Sequence, residues 1–157
     1  MMAAEQNLDG FQETRWGMSE SQVQEIYGGK LTRWTTKAIT RFGLRHYDVD
    51  QCDFAVEFLF GDKGLSHVNL TLNDFTKLEC TGKVIQSLRS KYGPPSVDGE
   101  PSIQSNEYKR THASIWYLGN TMVTEFDVFW RANRKSTLFF STMGQHKLLV
   151  QKSCDVR

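Results

Sequence analysis

A strictly alternating segment at residues 52–60 constrains the fold more than any other feature of this sequence. Successive side chains of a β-strand point to opposite sides, so the phenylalanines and the valine of this segment fall on one face. The turn at residues 61–64 ends in a glycine and leads into a second apolar strand, residues 65–72. A three-residue loop with that glycine in the left-handed conformation places Phe58 opposite Val68. The sequence therefore predicts an antiparallel hairpin with one apolar face that other elements must cover.

Two amphipathic helices are predicted to provide that cover. In the first, about residues 19–27, Ser19 is the expected N-cap and Gln22 completes a capping box. In the second, about residues 77–92, apolar side chains recur every three or four positions, and Gly93 followed by two prolines ends the helix.

Additional strands are predicted on both sides of the second helix, and residues 94–102, which hold all three prolines, form the connector. A two-residue turn after Leu118 pairs Ile115 with Thr124. The additional strands are residues 30–36, 38–48, about 104–118, 121–131 and 135–143.

The order of elements repeats along the chain, and residues 57–60 resemble residues 125–128 at the centres of equivalent strands. The alternative is a chance similarity of two amphipathic patterns. The repeat predicts an α+β fold, a two-layer sandwich in which tandem helix–antiparallel-strand units form one sheet with both helices on one face. The predicted boundaries are a single domain over 1–157, with repeat one at about 11–74, repeat two at about 75–143 and a tail at 144–157.

The segment Phe11…Trp16-Gly17-Met18-Ser19…Val23 resembles the opening motif of small exported bacterial envelope domains. From there to about residue 143, the layout is similar to the tandem fold of β-lactamase inhibitory protein and to the shorter unit of BamE-type outer-membrane lipoproteins. The chain departs from the lipoproteins in having no lipidated N-terminal cysteine. The resemblance implies an exported bacterial protein that binds other proteins and has no chemistry of its own.

Composition argues against several classes of function. Lys and Arg number 19 against 18 Asp and Glu, a net charge of +1, so no field attracts nucleic acid. No apolar run reaches the roughly 18 residues that a membrane span needs. The N-terminus is open to two interpretations: a natural cytoplasmic start, or an exported protein whose signal peptide was replaced by Met.

Residue patterns that carry chemistry are also lacking. The four histidines have no metal-ligand spacing, and we expect no catalytic site, cofactor or metal. Cys52 and Cys80 either form a disulfide in an oxidising compartment or remain free thiols. Glu57 and Glu125 could approach each other as an acid pair, or each could simply be a charge on a solvated strand face.

The strongest functional signal is the sheet face away from the helices, called the far face here. Arginines and aromatics mixed with charges are typical of protein-recognition surfaces, although such side chains also stabilise a solvated sheet face. The leading hypothesis is a periplasmic or secreted, inhibitor-like or immunity-like protein that binds an unidentified protein; the alternatives are a structural envelope-assembly module and a small-ligand carrier or weak hydrolase. The residues predicted to contact the partner are Arg41, Arg45, Tyr47, Glu57, His67, Arg110, His112, Trp116, Glu125, Asp127, Phe129 and Arg131.

Overall fold

The computed structural model describes residues 8–36, 38–74, 77, 79–99, 110–130 and 133–142, with backbone alone at 36, 81, 110–112, 126–130 and 133–142. The fold is α+β, as predicted. In these ranges the elements are α1 (Glu20–Ile26), β1 (Thr32–Thr36), β2 (Ile39–Val49), β3 (Cys52–Gly61), β4 (Gly64–Leu72), α2 (Glu79–Tyr92), β5 (Val97–Gly99), β6 (Arg110–Leu118), β7 (Thr121–Trp130) and β8 (Asn133–Thr142). The predicted tail, 144–157, lies outside the described residues.

The strands form one antiparallel sheet in the order β1-β2-β3-β4-β8-β7-β6-β5. Pairing of β4 with β8 joins the strands that follow α1 to those that follow α2, and it places Val68 opposite Phe140. The short strand β5 was not predicted, because its three residues lie in the proline-rich connector. It pairs with β6, where Val97 is opposite Ile115.

Both helices contact the sheet face that carries Cys52 and Phe58, which we call the helix side. Tyr27 at the end of α1 packs on Phe58 with ring centroids 5.4 Å apart. In α2, Cys80 is disulfide-bonded to Cys52 with a Cα–Cα distance of 5.8 Å. Val84, one turn further along α2, is buried in the same core. The opposite face of the sheet, which carries Glu57, is the far face.

The capping box predicted for α1 is present. The Gln22 amide donates to Ser19 Oγ at 3.2 Å, and the Ser19 amide donates to Gln22 Oε1 at 2.9 Å. Two of the backbone donors that a helix start leaves unpaired are satisfied in this way. Val23 in the next turn is fully buried, so the cap directs the apolar side of α1 towards the sheet.

The predicted strand registers are confirmed in both halves of the chain: Phe58 pairs with Val68 and Ile115 with Thr124. The turn between β3 and β4 differs in detail. Gly61 pairs with Gly64 around a two-residue turn, and the extra residue is accommodated by a bulge at Ser66. Gly64 has φ +89°, and a Cβ there would lie 2.3 Å from the Gly17 carbonyl oxygen, so only glycine fits.

The segment before α1 is held against both halves of the sheet. The Trp16 indole N–H donates to Thr121 Oγ1 in β7 at 2.8 Å, and the Leu8 amide donates to the Leu118 carbonyl at 3.1 Å. Leu65 in β4 donates from its amide to the Met18 carbonyl at 2.8 Å. The aromatic and glycine positions of the opening motif therefore fix where the N-terminal segment crosses the core.

No helix of the described residues is long and apolar enough to span a bilayer.

Candidate partner-binding surface

The structure places Trp116 on the helix side, and the prediction that it lies on the far face is wrong. Directly paired residues of neighbouring strands share a face, and Val68, Phe140, Val123 and Trp116 form one such row across four strands. Trp116 is 1% exposed, and its indole N–H donates at 2.8 Å to the carbonyl of Gly93, just after α2. It is a core residue beneath the helix.

The same register also moves Glu125, the other described residue predicted on β6 and β7. Glu125 is paired with Leu138, which is paired with Leu70 on the helix side, and Glu125 is completely buried. The side chains of Arg110, His112, Asp127 and Phe129 lie outside the described part of the structure, so their place on the partner-binding surface stays a prediction. Arg131 lies outside the described residues.

The physical reason for this error is that β6 and β7 are buried on both faces. Ile115, Met122 and Thr124 lie on the far face, yet each is at most 5% exposed. Alternation identifies the inner side of a strand only when its other side is solvated. The far face is therefore partly exposed along β2–β4 and buried along the centre of β6–β7.

Glu57 and Glu125 lie on opposite faces of the sheet. Glu57 is paired with Asn69 on the far face, whereas Glu125 is buried on the helix side. A sheet one backbone thick separates the two carboxylates, so they cannot act together on one substrate. This arrangement removes the acid-pair interpretation.

What remains of the predicted surface is a charged cluster in the middle of the far face. The Arg41 guanidinium donates to Glu57 Oε2 at 2.5 Å, and the Glu57 side chain is only 13% exposed. Gly43 in β2, which is paired with Glu57 in β3, lets the two strands approach closely, because a Cβ there would lie 1.9 Å from the Val56 carbonyl oxygen. The pair is thus held rigidly on the strands.

His67 adds a neutral polar group beside this pair. It is paired with Leu59 across β3–β4, and its ring Nδ1 lies 3.0 Å from Ser66 Oγ. Burial lowers the pKa of the His67 imidazole below 6.5, so the ring is uncharged at pH 7. The far face therefore presents a hydrogen-bonding ring that carries no charge of its own.

Trp34 is a member of this surface that the sequence analysis missed. It is paired with Arg41 in the β1–β2 register, which puts the indole on the far face, and it is half-buried. The same alternation that identified Arg41 would have found it once β1 was paired with β2. We call the set Trp34, Arg41, Glu57, Leu59 and His67 the far-face patch.

Tyr47 leaves this surface because β2 contains a bulge between Leu44 and Tyr47. The bulge shifts Tyr47 onto the helix side, opposite Phe54, where its hydroxyl accepts a hydrogen bond from the Gln12 side chain. The prediction for Tyr47 is therefore wrong. Arg45 is exposed at the bulge, and its carbonyl accepts a hydrogen bond from Asn73 Nδ2 at 2.9 Å.

The floor of the far face also holds two polar atoms that are buried without a hydrogen-bond partner in the described part of the chain: Asn69 Oδ1 and Thr124 Oγ1. Both residues belong to the row that passes through Phe139. Buried polar atoms are nearly always paired in folded proteins, so such exceptions mark places where structure or ligand supplies a partner.

No family model and no curated protein matches the chain. Among solved structures, it is similar to the crystal structure of a DUF4309 family protein, YjgB, from Bacillus subtilis. The two are 14% identical, the match covers 79% of this chain and 78% of that chain, and the TM-score is 0.44. At that level of similarity no function is transferred from one protein to the other.

Proposed function

We propose that this chain is an exported bacterial protein that binds another protein through the far-face patch and performs no chemistry itself. The observation that carries the proposal is the Arg41–Glu57 pair, held half-buried on rigid strands with Trp34 beside it. Tryptophan and arginine dominate the binding energy of protein interfaces, because they combine large apolar area with directional hydrogen bonds. We place the role among inhibitors and immunity-like proteins.

The arrangement of the patch supports binding rather than simple solvation. Arg41 and Glu57 are already paired and partly desolvated, so an arriving partner removes less water from them than from two free charges. Leu59 and the neutral His67 next to them are also half-buried and add area without a net charge. Rigid strands hold these groups, and preorganisation of this kind lowers the entropy lost on association.

Export is supported by the bond between Cys52 and Cys80. Disulfides persist in the periplasm and outside the cell, whereas cytosolic thiols are kept reduced. We further propose that the chain is a two-layer tandem of helix–strand units, as in the families that its opening motif resembles. The support is that each helix precedes four strands and that both contact the helix side.

The test is affinity capture from the envelope fraction of the source organism with two charge variants. Leu59→Glu places a second carboxylate in the patch beside Glu57. Ser21→Glu adds the same charge on the exposed surface of α1, away from the patch, and is the matched control. We expect Leu59→Glu to weaken binding of the captured protein at least about tenfold, equivalent to about 1.4 kcal/mol, and Ser21→Glu to leave binding unchanged.

Both variants must first show the circular dichroism spectrum and melting temperature of the parent. Equal capture by both variants contradicts the proposal, and so does equal loss by both. Trp34→Ala, which shortens an edge-strand side chain, should reproduce the loss. Trp116 is unsuitable for this purpose, because its indole is buried and its removal changes stability instead.

A further inference from the structure

A polar cleft of about 510 Å³ lies on the molecule away from the far-face patch, between α2 and the turn that joins β2 to β3. Its volume is in the range of sites that hold small ligands. The cleft is wide open to solvent, and all of its lining residues are of polar or charged types. The lining side chains are Asp50, Gln51, Lys83, Gln86, Ser87 and Ser90.

The α2 wall is one stripe of the helix. Lys83, Gln86, Ser87 and Ser90 are spaced three and four positions apart, so they lie in a row along one flank of the helix. The buried residues Cys80, Val84 and Leu88 anchor the neighbouring flank in the core, which fixes the row in place. At about 1.5 Å per residue, the row from Lys83 to Ser90 is about 10 Å long.

The opposite wall is a two-residue hairpin turn between the paired residues Val49 and Cys52. Asp50 and Gln51 have φ of 51° and 67°, and positive φ at both central residues is what such a turn requires. The disulfide lies at the base of the turn: Cys52 follows Gln51 directly, and Cys80 lies one helical turn before Lys83. The bond fixes the distance between the two walls.

Within the described ranges, neither Asp50 nor Lys83 forms an ion pair with another residue. A cation on one wall and an anion on the other match a ligand that carries both charges. The hydroxyls and amides between them match peptide groups, which need both donors and acceptors.

We infer that this cleft binds short peptides with free ends, with the terminal carboxylate at Lys83 and the terminal ammonium at Asp50. Among the described residues no aromatic ring lines the cleft, which disfavours sugars that stack on such rings. The site is separate from the far-face patch, so failure of one proposal leaves the other standing.

The test is a titration of the oxidised protein with tri-alanine, followed by amide chemical shifts. We expect a Kd of about 1 mM or tighter, with the shifts concentrated in residues 50–51 and 83–90. Tri-alanine with an amidated C-terminus, or with an acetylated N-terminus, should bind at least about tenfold more weakly.

Variants assign the two ends. Lys83→Met should weaken binding of free tri-alanine about tenfold and have little effect on binding of the peptide with the amidated C-terminus. Asp50→Asn should also weaken binding of free tri-alanine about tenfold, but have little effect on binding of the acetylated peptide. Lys63→Met, in the exposed β3–β4 turn, is the matched control and should bind like the parent. Absence of shifts at millimolar tri-alanine overturns the inference, as does equal binding of free and capped peptides.

Discussion

Reduction of the Cys52–Cys80 disulfide should lower the stability of the protein by about 3.6 kcal/mol. The bond closes a loop with a sequence separation of 28 residues. In the chain-entropy treatment, a loop of this length removes about 12 cal/mol/K from the unfolded state, which is about 3.6 kcal/mol at 25 °C. Domains of this size typically have a total stability of about 5–15 kcal/mol, so the reduced protein should still fold.

The measurement is urea unfolding of the oxidised and the reduced protein in a Cys154→Ser background, which prevents exchange with the third cysteine. The two states then share one sequence and differ only in the bond. In thermal unfolding of the same two forms, we expect the melting temperature to fall by about 7–14 °C on reduction. We also expect a larger dependence on urea, because the reduced chain unfolds to a more expanded state.

Two results would refute this reasoning. One is a difference in stability below about 1 kcal/mol, which would mean that the loop is already restricted in the unfolded state. The other is the titration of two thiols in oxidised protein that has been unfolded without reductant. Cys52 and Cys80 are at most 1% exposed, so reduction has to be carried out under unfolding conditions to be complete.

Four further changes should be measurable by unfolding experiments. Ser19→Ala removes the capping box of α1 and should cost about 1 kcal/mol in urea unfolding. Trp116→Phe leaves the Gly93 carbonyl without its 2.8 Å donor and opens a cavity in the core; we expect a loss of about 2 kcal/mol, and no loss would place the indole elsewhere. Gln51→Gly relieves the left-handed φ of 67° and should raise stability by about 0.5–1 kcal/mol; a decrease would show that the side chain itself stabilises the turn. At Asp53, burial raises the pKa, but hydrogen bonds from the neighbouring histidine and asparagine side chains outweigh this effect and hold the pKa below 3.8. The stabilising contribution of the Asp53 carboxylate is therefore present above pH 3.8 and is lost as the pH falls further. Asp53→Asn should make the free energy of unfolding depend less on pH in the acid range.

The sequence predicted local structure better than it predicted which way the strands face. The capping box at Ser19 and the pairing of Phe58 with Val68 follow from short-range patterns, and both are confirmed. The pairing of Ile115 with Thr124 was also right, yet the neighbouring Trp116 lies on the opposite side of the sheet from the one predicted. Which residues pair within a hairpin depends on its turn, whereas the side of the sheet that each residue faces depends on how distant strands join.

Two features concealed which side of the sheet the residues of β6 and β7 face. The first is that β8 joins β4 by the pairing of Val68 with Phe140, positions 72 residues apart in sequence, and this junction determines the side for the strands that follow α2. The second is that apolar residues occur at both alternating sets of positions in β7, so alternation could not show which side of this strand faces the helices. Tyr47 was misplaced for a different reason, because the bulge in β2 shifts the alternation by one residue and leaves no glycine or proline to mark it.

The position of β8 between β4 and β7 has a consequence for biosynthesis. The last described strand of the chain is the seam of the sheet, so the exposed edge of β4 has no neighbour until residues 133–142 leave the ribosome or the export channel. Unpaired edges recruit strands from other molecules. A product truncated before residue 133 should therefore aggregate even though its first helix and first four strands are intact. We expect the nascent chain to need protection of this edge from the time that β4 emerges until β8 pairs with it.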